Sequence, residues 1–367
     1  MLARAAEQRK TIELGGNFSK RTGAGPIGKP DVTISTSQLN RILAYEPRDL
    51  TISVEAGITY AELSRALTPN RQMIPLDPPF SEKATIGGIV ASNSSGPRRR
   101  LYGTARDLVI GMKFATLEGK LIQSGGMVVK NVAGLDMGKL MIGSWGTLAG
   151  LASVNFKLLP IPAVERTMLV SVDSPAKAFE LRDKVIRSVL QPSAIDFLNA
   201  RAAAELGFKK ALLSVEFGGN EGVIERCRAE MQQWGETVEQ NTDEALILWS
   251  RIRNFTAKYL QKVSTGVMVR ISSTLSEMIE VMNSLEVPAI ARAGSGVTYA
   301  YFSVTEAAAK WMASHKWISV MEYAPAAGKE KLALWPSPGT DLEIMKRIKS
   351  MFDPHGLLNR GRYYGVF

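Results

Sequence analysis

The apolar and polar positions near the start of the chain predict a strand followed by a helix. Residues 31–36 alternate in polarity, which is typical of a half-buried strand. Ser37 stands where a helix cap is expected, and Leu39, Ile42 and Leu43 would share one stripe of the helix after it. The pattern therefore predicts a β–α step between residues 31 and about 45.

The neighbouring segments predict more short elements of both kinds. Thr11–Leu14 and Leu50–Glu55 are expected to be strands, and Thr59 and Glu62 have the spacing of a capping box that opens a helix ending near Pro69. The predicted order is β–loop–β–α–β–α. This order is typical of an α+β or α/β domain.

Strand-like runs predominate between residues 107 and 159, and a proline pair follows them. The runs are Leu108–Ala115, Leu121–Ser124 and Leu148–Leu159. Pro160 and Pro162 come next, together with a change of composition, which predicts a domain boundary.

The remainder of the chain predicts a second α+β domain in which strands alternate with amphipathic helices. The expected strands are Thr167–Val172, Ala211–Phe217, Gly266–Ile271 and Val297–Ser303. The expected helices are Ala176–Leu190, Glu221–Trp234, Thr274–Leu285, Glu306–His315 and Asp341–Met351.

Three glycine-rich segments in the first 150 residues carry the main chemical signal. They are Gly15–Gly25, Ala84–Pro97 and Gly143–Gly150. Glycine leaves the backbone bare and tolerates positive φ, so that successive N–H groups can converge on a phosphate. Each segment lies beside a strand-like run, which predicts one extended cofactor across a single domain. The first segment taken alone lacks both the P-loop and the Rossmann pattern, and it fits either an anion nest or a structural turn.

The order and spacing of these motifs resemble a known family. Thr85-Ile-Gly-Gly88, the run Val129–Asp136, the segment Lys139–Gly150 and the tail Phe352–Arg362 are similar to the FAD-binding domain of the vanillyl-alcohol oxidase superfamily, of the PCMH type. The likeness is greatest to the FAD-binding subunits of bacterial glycolate oxidases. It covers nearly the whole chain and is thin between residues 160 and 350.

The resemblance implies an α+β architecture with three parts. A PCMH-type FAD-binding domain would occupy residues 1–162, with subdomains of about 1–48 and 49–162. An α+β cap or substrate domain would occupy residues 163–349. The tail, residues 350–367, would return to the flavin.

The resemblance also implies a set of cofactor-binding residues, which the glycine loops, the turn beneath the flavin, the adenine side and the tail would supply. They are Gly16, Asn17, Phe18, Ser19, Lys20, Pro78, Thr85, Ile86, Gly87, Gly88, Ser92, Asn93, Gly96, Tyr102, Gly103, Asp107, Gly146, Thr147, Gly150, Leu151 and Asn359. The cofactor's phosphates need fixed donors and its ring system needs a flat slot. Leu135 and Ala149 depart mildly from the family pattern.

The two histidines bear on how FAD is held. Relatives that bind FAD covalently do so through a histidine in the first or second segment. This chain has only His315 and His355, far from those positions, so we expect non-covalent FAD.

Catalytic residues are weakly signalled. Oxidation of a 2-hydroxy acid needs a base and a carboxylate clamp. His355 in the tail is either structural or near the flavin edge, and Arg270, a lone charge in an apolar strand, is either ion-paired or a carboxylate anchor. Residues 98–100 are three arginines, expected to form a solvated basic turn or a docking patch. No His/Asp/Glu cluster has metal-ligand spacing, so no metal is predicted.

Composition narrows the class of protein. Of 367 residues, 45% are hydrophobic and 22% are charged, as is usual for a globular protein, and the net charge is +10. Cys227 cannot form an intrachain disulfide and is expected to be buried and inert. No apolar run reaches a membrane span, and no signal core or nucleic-acid motif is present. A cytoplasmic protein is expected, with attachment to the inner membrane through partners left open.

Three functions stay open from the sequence. The first is an FAD-binding subunit of a glycolate oxidase complex, with a larger FAD-binding subunit and an iron–sulfur subunit as partners. The second is a self-sufficient FAD-dependent dehydrogenase for a small 2-hydroxy acid such as D-lactate. The third is a structural subunit that keeps the flavin fold without chemistry.

Overall fold

The structure is a computed structural model that describes residues 1–26, 28–128 and 136–365. Residues 129–135, which belong to the third family motif, lie outside the described residues. The chain divides into two compact units: unit 1 is Met1–Ser95, Gly103–Ile161 and Ala326–Phe367, and unit 2 is Gly96–Tyr102 and Pro162–Pro325. This division differs from the expected one, because residues 326–349 belong to unit 1 and residues 96–102 to unit 2.

Short strands and helices alternate along both units. The strands are β1 Ile12–Gly15, β2 Val32–Ser35, β3 Ile42–Glu46, β4 Thr51–Glu55, β5 Gln72–Met73, β6 Val109–Ala115, β7 Leu121–Gly125, β8 Gly150–Lys157, β9 Leu159–Pro160, β10 Val164–Val172, β11 Pro192–Leu198, β12 Ala211–Gly219, β13 Val238–Gln240, β14 Val267–Ser272, β15 Ala289–Arg292, β16 Val297–Phe302 and β17 Ile318–Tyr323. The α-helices are α1 Leu2–Glu7, α2 Tyr60–Leu67, α3 Ile86–Ala91, α4 Arg99–Tyr102, α5 Ala105–Leu108, α6 Met137–Met141, α7 Pro175–Arg187, α8 Ala200–Glu205, α9 Glu221–Trp234, α10 Thr242–Arg253, α11 Phe255–Lys262, α12 Met278–Asn283, α13 Thr305–Ser314 and α14 Asp341–Phe352. Thr68–Asn70 and Lys329–Lys331 are 3₁₀ turns.

The larger sheet of unit 1 is antiparallel with the strand order β3-β4-β8-β6-β7. In its centre Ile52 is paired with Phe156 and Val54 with Val154, and all four side chains are fully buried. Helix α3, with Ile86 and Ile89, belongs to the same core. This core supports the second glycine segment from beneath.

A smaller part of unit 1 joins the two ends of the chain. Strands β1 and β2 form a parallel pair, and Leu358 forms a bridge to Ile12 on β1. The Ile12 N–H donates to Leu357 O at 2.8 Å, and the Asn359 N–H donates to Ile12 O at 2.9 Å. The tail therefore returns to the strand that leads into the first glycine segment.

Unit 2 contains an antiparallel sheet with the order β13-β10-β12-β11-β15-β16-β14-β17. Arg98, from the short piece of chain that joins this unit, lies 2.8 Å from Glu165 and 2.9 Å from Glu216. The side chain of Arg98 is 18% exposed, so the expectation of a solvated basic turn is wrong at this residue. A charged network fixes it because its two carboxylate partners come from adjacent strands, which sequence spacing does not reveal.

The helix expected after Ser37 is also wrong. Residues 42–46 form the edge strand β3, which pairs with β4 through a register shift between Ile42 and Ala44. The Arg41 N–H donates to Glu55 at 2.8 Å, which keeps the backbone extended before the strand. Ile42 and Leu43 are 40% and 47% exposed, so their helical spacing reflects no buried face. Pairing with β4 overrides local propensity here.

Other predicted elements are confirmed with small shifts at their ends. The capping box of α2 is present, with the Glu62 N–H donating to Thr59 Oγ1 at 3.1 Å and the Thr59 N–H donating to Glu62 at 3.0 Å. Cys227 is buried, and burial raises the pKa of its thiol to about 11, as expected of an inert cysteine. None of the helices in the described part of the chain has the length and apolar character needed to cross a bilayer.

Candidate functional site

A cleft in unit 1 brings the three glycine-rich segments and the tail together. It contains about 720 Å³ of empty space, part of it open to solvent. Its walls come from β1 and the loop after it, from α3, from the loop before β8, and from the tail. The lining residues are Leu14, Gly15, Gly16, Asn17, Phe18, Ser19, Lys20, Arg21, Thr36, Thr85, Gly87, Gly88, Ala91, Ser92, Trp145, Gly146, Ala149, Leu151, Asn359 and Arg362.

The first loop presents unused backbone donors to this cleft. Within the described residues, the backbone N–H groups of Gly16, Asn17, Phe18 and Ser19 donate to no protein acceptor. Phe18 has a φ of +52°, a left-handed conformation that non-glycine residues seldom adopt. Consecutive N–H groups in such a turn form an anion-binding concavity.

Close packing between the first and second segments explains why glycine is needed at residue 16. A Cβ on Gly16 would lie 2.1 Å from Thr85 Oγ1. Thr85 is itself fixed, because its hydroxyl oxygen accepts the Gly88 N–H at 3.3 Å and caps α3. A Cβ on Gly88, in contrast, would have Thr85 Oγ1 at 3.2 Å as its only neighbour within 4 Å among the described residues outside its own helix backbone. The space in front of Gly88 therefore belongs to the cleft.

Asn359 ties the tail to two of the glycine segments. Its Nδ2 donates to the carbonyl oxygens of Leu14, Trp145 and Gly146 at 3.0–3.2 Å, and its Oδ1 accepts the Leu14 N–H at 2.8 Å. The residue is 2% exposed and has a φ of +45°. The Asn359 amide is thus engaged with the backbone while the residue lines the cleft, and its contact with the flavin ring stays a prediction.

Arg362 is a second link from the tail. Its Nη1 donates to the carbonyl oxygens of Arg21 at 3.0 Å, Gly23, and Gly25 at 3.5 Å. Its guanidinium lies 5.7 Å from the centre of the Trp145 ring. The residue is 6% exposed, so the cleft has a buried cation in its wall.

Many of the residues predicted to bind the cofactor do line the cleft. They are Gly16, Asn17, Phe18, Ser19, Lys20, Thr85, Gly87, Gly88, Ser92, Gly146, Leu151 and Asn359. The cleft also has lining residues that the sequence argument missed, among them Thr36, Ala91, Trp145 and Arg362. Arg362 could have been noticed in the sequence, since it is the last residue of the tail motif. Its place in the cleft wall, however, depends on the return of the tail to β1, which the sequence does not show.

The other predicted cofactor residues do not line the cleft, for reasons visible in the structure. Gly103 and Asp107 shape a turn: Gly103 has a φ of +80°, and Asp107 accepts the Thr104 N–H at 2.8 Å in a capping box. Ile86 is fully buried in the core, and Thr147 Oγ1 donates to Ser144 O at 2.8 Å. Five further predicted residues are also absent from the cleft lining: Pro78, Asn93, Gly96, Tyr102 and Gly150. Of these, Gly96 and Tyr102 belong to unit 2.

Neither catalytic candidate lines the cleft. His355 is exposed and its Nδ1 lies 2.9 Å from Arg9 Nη1. Arg270 is in β14 of unit 2, 3.2 Å from Glu322, which is the ion-paired alternative for this residue. Among the described residues, no group of three or more His, Cys, Asp or Glu side chains is arranged to hold a metal ion.

Comparison with known proteins finds two regions of the chain that are similar to family models. Residues 1–125 match the FAD binding domain, and residues 328–363 match the C-terminal domain of FAD linked oxidases. The chain is 24% identical over 403 residues to glycolate oxidase subunit GlcD of Bacillus subtilis (strain 168), covering 99% of this chain and 86% of that protein. It is 43% identical over 122 residues to glycolate oxidase subunit GlcE of Escherichia coli (strain K12), covering 33% of this chain and 35% of that protein.

A solved structure shows the same fold. p-Cresol methylhydroxylase superposes with a TM-score of 0.74 at 13% identity, over 100% of this chain and 86% of that one. This likeness confirms the PCMH-type α+β fold expected from the sequence.

The cleft fits the cofactor that these matches imply. The unused N–H groups of residues 16–19 suit a pyrophosphate, and Arg362 adds positive charge. Leu14, Ala91 and Leu151 supply apolar walls for an aromatic ring system. We conclude that the chain resembles the FAD linked oxidases in both matched regions, and that it is an oxidoreductase whose cofactor is FAD.

Proposed function

We propose that this chain is the FAD-binding subunit of a glycolate oxidase complex, which oxidises glycolate to glyoxylate and passes the electrons to partner subunits. The observation that carries the proposal is the 43% identity to GlcE over 122 residues. That similarity comes with a weaker one to GlcD along nearly the full length, so both kinds of glycolate oxidase subunit resemble this chain. The partners we propose are a larger FAD-binding subunit and an iron–sulfur subunit.

The chain's own residues would hold the cofactor and orient it. The backbone donors of residues 16–19 would bind the pyrophosphate, and the fixed wall of Thr85, Gly87 and Gly88 would limit how far the flavin can shift. FAD, when bound, supplies the hydride acceptor for oxidation of the alcohol carbon of a 2-hydroxy acid. Binding would be non-covalent.

We also propose that Arg270, although ion-paired with Glu322, serves as a carboxylate anchor for the substrate. Its side chain is 34% exposed, which leaves part of it accessible despite the contact with Glu322. Glu322 is itself 21% exposed, so the pair is not sealed in the core. A substrate carboxylate would compete with Glu322 for the same fork of N–H donors.

The test compares the isolated chain with the complex. The FAD-loaded chain is mixed anaerobically with glycolate or D-lactate, and flavin absorbance near 450 nm is followed. We expect no bleaching of the isolated chain, and rapid bleaching after addition of the co-purified larger subunit. A chain that is bleached by either acid without a partner would be a self-sufficient dehydrogenase, and the proposal would be wrong.

A second measurement addresses the structural alternative. The tagged chain is purified, together with its bound partners, from the organism that naturally produces it. Glycolate-dependent reduction of a dye is then assayed in this purified complex. We expect activity that falls at least about tenfold when the chain's FAD is removed. Full activity of the complex with this chain lacking FAD would instead indicate a structural subunit.

A further inference from the structure

The turn that follows the first loop, residues 21–25, directs its carbonyl groups towards two buried cations. Arg362 receives the carbonyls of Arg21, Gly23 and Gly25, as described above. Lys329, on the 3₁₀ turn Lys329–Lys331, donates from Nζ to the carbonyl oxygen of Thr22. Nearly every carbonyl of residues 21–25 is therefore held by a cation from the C-terminal part of unit 1.

Lys329 is an unusual buried lysine. It is 2% exposed, and among the described residues its ammonium forms no ion pair with any carboxylate. An ammonium group has three donors, and the Thr22 carbonyl uses one of them. A buried charge without a counter-charge is costly, so this arrangement favours the neutral amine.

The charged surroundings of Lys329 are mainly positive. Arg362 is close enough to repel it, and Lys29, Glu330 and Arg360 line a cavity that Lys329 also lines. Burial, with Arg362 as the second cause, lowers the pKa of Lys329 to about 7. Near neutral pH the residue is therefore partly deprotonated in the cofactor-free protein.

We propose that Lys329 is a positioning residue for FAD, which takes up a proton when the anionic pyrophosphate of the cofactor enters the cleft. Arg362 links the two sites, because it lines the cleft and also repels the Lys329 ammonium. An anion beside Arg362 offsets that repulsion and supplies the missing counter-charge. Protonated Lys329 then holds the Thr22 carbonyl more strongly, which fixes the turn that carries the phosphate-binding loop.

The sign of the pH effect follows from linkage. Because FAD raises the proton affinity of Lys329, binding is tightest below pH 7, where the amine is protonated in both states. Affinity falls as pH rises from about 7 towards the pKa of the FAD-bound state. We expect the dissociation constant to increase about tenfold or more between pH 6.5 and 8.5, since each unit of pKa shift corresponds to a factor of ten.

The test is calorimetric titration of the deflavinated protein with FAD. At pH 8, titrations in buffers of different ionisation enthalpy give the number of protons taken up, and we expect about 0.5–1 per FAD for the natural chain. K329M should take up none from this site and show a flat pH dependence between 6.5 and 8.5. K329R, which stays charged, should also be flat but bind more tightly than K329M.

K331M is the matched control, because Lys331 is exposed on the same turn. It should keep the proton uptake of the natural chain. Zero uptake by the natural chain, or unchanged uptake by K329M or K329R, would overturn the proposal. If K329M fails to fold, zero uptake by the natural chain still overturns the proposal, and K329R still tests the assignment to Lys329.

Discussion

Gly16 shows how a single missing side chain permits the cofactor cleft. The backbone of the first loop lies so close to Thr85 that a Cβ would come within 2.1 Å of its hydroxyl oxygen. Thr85 cannot move aside easily, because it also caps α3. The bare backbone is therefore needed for contact between two protein segments as well as for approach to the cofactor.

We predict that Gly16→Ala weakens FAD binding about tenfold or more. The added methyl displaces either the loop or Thr85, and overpacking of this kind typically costs 1–3 kcal/mol. Flavin fluorescence during titration with FAD measures the effect. Gly28→Ala is the control, because a Cβ at Gly28 would meet no described residue within 4 Å apart from its chain neighbours. Equal affinities of the two variants would refute the close-packing argument.

Asn359 makes a second prediction at the residue level. Asn359→Asp replaces three N–H···O bonds to carbonyl oxygens by contacts between a carboxylate and the same carbonyls. The unfolding free energy should fall by about 2 kcal/mol or more, with a parallel loss of FAD affinity. Urea denaturation provides the measurement, and Asn40→Asp, at an exposed loop residue, should change stability by less than about 0.5 kcal/mol. A stability of Asn359→Asp within that same margin would contradict the role assigned to the tail.

At the level of elements, a buried network of hydrogen bonds joins the last helix to the tail. Lys349 on α14 donates to Asp353 at 2.6 Å, to Thr147 O at 2.7 Å and to Leu358 O at 3.0 Å. Asp353 accepts the N–H groups of Leu357 at 2.9 Å and Leu358 at 2.8 Å. This network holds the tail beside β1, and Asn359 and Arg362 are thereby placed at the cleft.

We predict that Asp353→Asn lowers the unfolding free energy by about 3–5 kcal/mol, because it leaves the buried Lys349 ammonium without its carboxylate. Asp341→Asn at the exposed start of α14 should cost at most about 1 kcal/mol, through the helix dipole alone. Thermal and urea unfolding of both variants provide the comparison. Similar small losses of unfolding free energy in the two variants would show that the buried network contributes little to stability.

The elements also show what sequence reasoning can and cannot reach. The glycine segments, the capping box of α2 and the tail motif were predictable, because each depends on residues close together in sequence. Strand β3 was missed because its pairing with β4, and not its own pattern, decides its conformation. Arg362 and Lys329 were missed for a related reason: their partners lie more than 300 residues away, on the turn after the first loop.

The whole molecule is basic, and the cofactor site concentrates that charge. The net charge is +10, and Lys20, Arg21 and Arg362 all line the cleft. Arg21 is neutralised in part by Glu13 at 2.6 Å, whereas buried Arg362 is met by carbonyl groups. A cationic cleft favours association with an anionic dinucleotide, and the attraction should weaken as salt increases.

Release of the flavin tests the central claim most directly. The purified chain is precipitated with acid, and the flavin in the supernatant and pellet is identified by mass and quantified against protein. We predict about one FAD per chain, all of it in the supernatant, because the cofactor is held without a covalent bond. Flavin that stays with the pellet, or a colourless chain that binds no FAD at micromolar concentration, would contradict the account.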